Sequence, residues 1–103
     1  MFLYVRFLGG DGSLFESAVS ITGAHNEMDI ALSEFGWLKS NRSGWRTDHY
    51  DVFRDGDRHY DVMRIWKGDQ KARIYFDTTD YFGRLCSAAK KPKAAGPIGS
   101  ALQ

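Results

Sequence analysis

The sequence predicts an α+β domain: one amphipathic helix packed on a curved antiparallel sheet, in the order β-β-α-β-β-β, with a short C-terminal helix. Three observations carry this. Runs rich in β-branched and aromatic residues flank a single stretch of helical spacing. Glycine- and aspartate-rich turns divide those runs at hairpin distances. A length of 103 residues with 43% hydrophobic and 15% aromatic content is enough for one core and too little for two.

Phe2 to Leu8 and Leu14 to Ile21 are the first two strands, joined by Gly9-Gly10-Asp11-Gly12-Ser13 as a five-residue hairpin loop. The first is apolar on both faces, which places it centrally. The second mixes Phe15, Val19 and Ile21 with Glu16 and Ser20, the pattern of half-burial. From there the period changes. Met28, Ala31, Leu32, Phe35 and Leu38 recur at helical spacing and form the expected core stripe of a helix from Asn26 to Lys39, with Glu27, Ser33 and Glu34 on its other side. Thr22 or Asn26 can cap its first turn. Gly36 within it costs about 1 kcal/mol relative to Ala, and Ser40-Asn41-Arg42-Ser43-Gly44 ends it.

Trp45 to Arg54, Arg58 to Lys67 and Ala72 to Asp77 are three further strands, joined by turns at Asp55-Gly56-Asp57 and Gly68-Asp69-Gln70-Lys71, so an antiparallel meander is expected. Asp77-Thr78-Thr79-Asp80 offers capping oxygens to a closing helix over Tyr81 to Cys86. A β-grasp arrangement and a helix-wrapped sheet of the cystatin kind both accommodate this order. The periodicity ends after Ala89. Residues 1–89 therefore form the predicted domain and 90–103 a basic, disordered tail, because residues 1–83 carry a net charge of −3 and residues 84–103 a net charge of +4.

A net charge of +1 gives the whole molecule no field that implies a polyanion or a membrane surface as partner. One cysteine excludes an internal disulfide framework and suits a reducing compartment. The apolar opening lacks a basic leader and is interrupted by Arg6. No apolar run approaches the ~20 residues of a spanning helix. A cytoplasmic protein is the expectation.

One local near-repeat has possible chemistry: His49-Tyr50-Asp51-Val52-Phe53-Arg54 and, ten residues on, His59-Tyr60-Asp61-Val62-Met63-Arg64. Pairing Val52 with Tyr60 puts Tyr50, Val52, Tyr60, Val62 and Trp66 on the core side. It also sets Asp51 across from Asp61 on the other side, with His49 and His59 beside them. Two His and two Asp are a donor set for a divalent metal such as zinc, so His49, Asp51, His59 and Asp61 are the candidate ligands of a metal-dependent hydrolase-like site. The competing expectation is a solvated face neutralised by Arg54, Arg64 and Arg73, without any cofactor. A two-residue type I′ turn at Asp55-Gly56 would shift the register by one and scatter the four side chains.

Other candidates have plain structural explanations. Cys86 has the chemistry of a nucleophile and the surroundings of a small buried hydrophobe. His25, Glu27 and Asp29 at the helix start suit acid-base work, yet capping and the helix dipole explain the acids equally well. The loop at Gly9 to Ser13 resembles a phosphate cradle but is followed by a strand where a helix is needed. Lys90, Lys91 and Lys93 provide a basic tail for sequence-independent nucleic-acid contact. Trp37 falls off the helical stripe near Ile30, and with Trp45 and Tyr81 these residues are the candidates for an interface.

Tyr60-Asp61-Val62-Met63-Arg64-Ile65 followed by Ile74-Tyr75-Phe76-Asp77-Thr78-Thr79-Asp80-Tyr81-Phe82-Gly83 resembles the C-terminal half of small uncharacterised bacterial domains of the kind carried on mobile gene cassettes. The resemblance covers a third of the chain and brings no catalytic residue with it. It implies a small binding, inhibitory or immunity protein. An aromatic excess without a catalytic constellation points the same way, to a non-catalytic module for a protein partner, for self-association or for a small ligand. A metal-dependent enzyme and a tail-assisted nucleic-acid binder are the alternatives; nucleic acid is not the expected partner, and a membrane is not one.

Overall fold

The computed structural model describes residues 5–85, with the backbone alone at Asp48 and His49. It is a small α+β fold. In chain order it comprises β1 (Arg6–Gly9), β2 (Val19–Thr22), α1 (Glu27–Asn41), β3 (Arg46–Asp55), β4 (Arg58–Lys67) and β5 (Gln70–Asp77). A further helix, α2, covers 79–85. The strands form one sheet in the order β1-β2-β5-β4-β3.

The sheet is mostly antiparallel, as expected, with one departure: β2 lies parallel to β5, pairing Val19 with Phe76 and Ser20 with Asp77. This junction makes β2 and β5 interior strands and leaves β1 at an edge. Its residues Phe7 and Leu8 are exposed rather than central. Much of the predicted second strand is instead a loop, since β2 starts only at Val19. Within that loop the Gly12 carbonyl accepts from the Tyr75 backbone N–H (2.7 Å), which satisfies the β5 edge before β2 begins. The approach is close. Gly12 has φ +81, and a Cβ there would lie 2.8 Å from Ile74 Cγ2.

Both hairpins turn on two residues. Asp55 pairs with Arg58 around Gly56-Asp57, and Lys67 pairs with Gln70 around Gly68-Asp69. Gly56 and Gly68 each have φ +60, the left-handed value that such turns require. Val52 therefore pairs with Asp61, not with Tyr60, and Asp51 with Val62. In β4 the side facing α1 is Asp61, Met63 and Ile65, so the expected core set of Tyr60, Val62 and Trp66 lies on the outer face. Phe15 reaches over that outer face from the loop. It packs against Tyr75, Phe53 and Tyr60 at centroid distances of 4.4, 4.9 and 5.0 Å, a half-exposed aromatic cluster.

The core lies between α1 and the inner face of the sheet, where Ile30 and Leu38 meet Val19, Ile21, Met63, Ile74 and Phe76. Asn26 caps α1, its side chain accepting from the Asp29 N–H at 2.8 Å. The helix, however, is rotated from the predicted orientation, with Leu38 the one member of the expected stripe that is buried in the core. It buries Ile30, Ser33, Glu34 and Leu38 and exposes Met28, Leu32 and Phe35. Trp37 decides this: it stands edge-on to Phe76 (5.5 Å, 89°), a contact the Met28 face cannot supply. Ser33 is accommodated because its hydroxyl donates to the Asp29 carbonyl at 2.6 Å.

Helix α2 is tied to the start of α1. The Asp80 carboxylate accepts from the Gly23 N–H (3.0 Å), and Arg84 donates to the Ala24 carbonyl (2.6 Å). Asp77, buried, accepts from the Thr79 N–H (2.9 Å) and pairs with Arg58.

Candidate functional site

A pocket of about 130 Å³ opens between α1, β3, β4 and α2. Four α1 residues at helical spacing, Glu27, Ile30, Ala31 and Glu34, form one wall. The opposite wall is Val52 and Asp61, paired across the β3–β4 hairpin, with Tyr50 one position along the same face. Phe82 of α2 closes the end and is itself held by a ring stack on His59 (5.1 Å, 20°). Further bonds fix that corner: the Thr78 N–H donates to the His59 carbonyl (2.8 Å), and the His59 N–H to Thr79 Oγ1 (3.0 Å).

Three carboxyls line this space, and among the described residues no Lys, Arg or His does. Glu34 is the unusual one. It is 4% exposed and Asp61 is 7% exposed. Burial, and next the hydrogen bond and the negative charge of Asp61, push the Glu34 carboxyl up to about 10. Glu34 is thus a neutral acid at ordinary pH, its proton held between the two carboxyls. Two carboxylates side by side in a dry wall cannot both ionise. The other Glu34 oxygen, Oε2, is buried with no hydrogen-bond partner. A buried acceptor left unpaired costs about 1–3 kcal/mol. An acid in that state, lining a cavity, is where a ligand's donor would gain most.

The pocket continues into an apolar surface. Met28, Leu32 and Phe35 form an exposed row on α1, joined to the pocket by Ala31, which is three residues from Met28 and four from Phe35 and so a surface neighbour of both. Tyr50 and Val52, also exposed, line the pocket from the β3 side.

Two other cavities are larger. One of about 330 Å³ is lined by Arg64, Ile65, Trp66, Lys71 and Ala72, and one of about 270 Å³ surrounds the Arg58–Asp77 pair. Size alone favours them; chemistry does not. In the second, Arg58, Asp77, Thr79 and Asp80 are already bonded, and among the described residues neither cavity is lined by a buried polar side-chain atom lacking a partner.

The predicted site residues separate. In the metal set, Asp61 faces α1 while Asp51 lies on the outer face beside Val62, near Arg64 (3.9 Å), so the expected cross-strand carboxylate pair does not form. The two-residue turn is the cause. His59 stacks on Phe82, and the His49 side chain lies outside the described residues. Among the described residues no group of three or more His, Cys, Asp or Glu is placed to hold a metal. Of the interface set, Ile30 is buried, and Trp37, Trp45 and Tyr81 pack against the core, Trp45 with the Arg42 guanidinium 5.3 Å over its ring. The exposed apolar row lies one helical face away from them. Asp29 is occupied locally, its carboxylate accepting from the His25 backbone N–H (2.8 Å). In the glycine loop, Asp11 accepts from the Ser13 N–H and hydroxyl, bonds that lower its pKa. Cys86, Lys90, Lys91 and Lys93 lie outside the described residues.

Sequence reasoning missed Glu34 by assigning it to the solvent side. The available signal was the second row of large side chains, Ile30, Trp37 and Leu38, which has Glu34 in its middle. Among the described residues no helix is long and apolar enough to cross a membrane. Comparison of the chain with protein-family models, curated proteins and solved structures finds no match.

Proposed function

We propose that the chain is a non-catalytic binding module that takes a protein partner on its α1 side. The observation that carries this is the exposed row Met28, Leu32 and Phe35 running beside a pocket whose buried acid has one oxygen without a partner. Single exposed apolar residues are ordinary on protein surfaces; a row of three large ones on one helix, beside a pocket that exposed Tyr50 and Val52 line, is of the kind that marks interaction sites. The pocket's size favours an anchor over a substrate. Small-molecule sites occupy about 300–1,000 Å³, whereas 130 Å³ admits the end of one side chain. The acids lining the pocket, Glu27, Glu34 and Asp61, with no cation among the described lining residues, favour a partner with a basic surface.

The test is a photo-crosslinking amino acid at Leu32, with the same group at Arg73 on the outer face as control, in cells that express the chain. The expected result is a discrete adduct at position 32 that disappears with Phe35→Asp. An adduct at twice the chain mass would identify the partner as a second copy. Equal labelling from both positions, or an adduct indifferent to Phe35, would overturn the reading.

A further inference from the structure

We propose that the pocket between α1 and the β3–β4 hairpin binds the end of a basic side chain, a guanidinium or primary ammonium, held by Glu34 and Asp61. This deepens the binding-module reading by naming the group a partner inserts. The argument starts from a chemical mismatch. Glu34 is nine-tenths buried, lines the cavity and has an oxygen without any donor. A backbone amide or water could satisfy one acceptor. A guanidinium does more, because its forked N–H groups reach two carboxyl oxygens at once and its charge suits a space with acids at Glu27, Glu34 and Asp61 and, among the described residues, no cation.

The remaining walls agree. Tyr50 and Phe82 present aromatic rings at the mouth and the closed end, and the aliphatic stem of a lysine or arginine would lie along Ile30, Ala31 and Val52. The titratable groups facing Glu34 are Asp61 on β4, Tyr50 on β3 and Glu27 on its own helix; on α2 the facing residue is Phe82, which does not titrate. The cation takes the place of the proton shared by Glu34 and Asp61. That proton passes to the buffer, and the net charge of the occupied pair is unchanged. Affinity should therefore rise with pH across the neutral range, by up to tenfold per unit if one proton leaves for each cation bound.

The experiment titrates the full chain with ethylguanidinium and with its neutral analogue ethylurea, followed by amide NMR shifts of Glu34, Asp61 and Tyr50. Saturable shifts with ethylguanidinium, at least tenfold weaker with ethylurea, and weakened at least tenfold by Glu34→Gln, are expected. Asp61→Asn provides a second variant should the first alter the fold. Equal response to the two probes, no saturable response to either, or affinity independent of pH would overturn the assignment. The outcomes separate the two readings. A crosslink at Leu32 without ethylguanidinium binding removes the cation anchor and keeps the partner, and cation binding without the crosslink does the reverse.

Discussion

Replacing Glu34 with Gln should remove a pH dependence from the stability of the fold. In the unfolded chain this carboxyl loses its proton near the ordinary glutamate value of 4.5, and in the folded chain it keeps the proton to about 10. Between those limits the folded state binds one proton more than the unfolded state. Stability from this group is thus fully present below about pH 4.5 and is lost as pH rises toward 10. The limiting slope is about 1.4 kcal/mol per pH unit, so roughly 2.7 kcal/mol disappears across two units. A domain of this size moves about 4–8 °C per kcal/mol, which makes the fall roughly 10–20 °C. Gln has the shape of the neutral acid, still offers N–H groups to Asp61 and cannot ionise. Thermal unfolding of both chains at about pH 5.5, 6.5 and 7.5 measures the effect, and contributions common to both cancel in the difference. The midpoint of the Gln variant should gain steadily on the parent as pH rises. A difference that stays constant would refute the claim that Glu34 is held neutral.

Other substitutions probe separate parts of the account. Gly36→Ala should stabilise the fold by about 0.5–1 kcal/mol, since the position is helical and a Cβ there meets nothing within 4 Å; a lowered midpoint would contradict its placement. Gly12→Ala should destabilise by about 1–3 kcal/mol, because φ is +81 and Ile74 Cγ2 would be 2.8 Å away; denaturant melts of the two chains decide this. Asp77→Ala leaves the Thr79 N–H without its acceptor at a buried position, costing about 1–3 kcal/mol, and amide exchange should show α2 loosening first. Met28→Glu with Phe35→Glu should leave the melting midpoint within a few degrees of the parent, since both side chains are exposed, while abolishing the crosslink from position 32.

Element types were legible because they depend on local chemistry. Gly56 and Gly68 announce their hairpins, Asn26 the start of α1, and Asp77 to Asp80 the start of α2. What depends on distant contacts was not. The side on which α1 lies follows from Trp37 meeting Phe76, and the helix offers two apolar rows between which periodicity cannot choose. The parallel β2–β5 junction joins segments more than fifty residues apart. At the hairpin, one residue of register exchanges faces for every side chain. Moving the partner of Val52 from Tyr60 to Asp61 takes apart the expected metal set and places Asp61 against Glu34. The near-repeat did contain a functional candidate in Asp61. Its partner lay on a helix rather than on the neighbouring strand.

The most direct measurement is the carboxyl carbon-13 shift of Glu34 in the full chain as a function of pH. Held neutral beside Asp61, Glu34 should show no titration between about pH 4 and 8, and addition of ethylguanidinium at about pH 7.5 should move its signal toward the ionised value. A midpoint near that of an ordinary glutamate, close to 4.5, would contradict the shared proton and with it the predicted rise of cation affinity with pH.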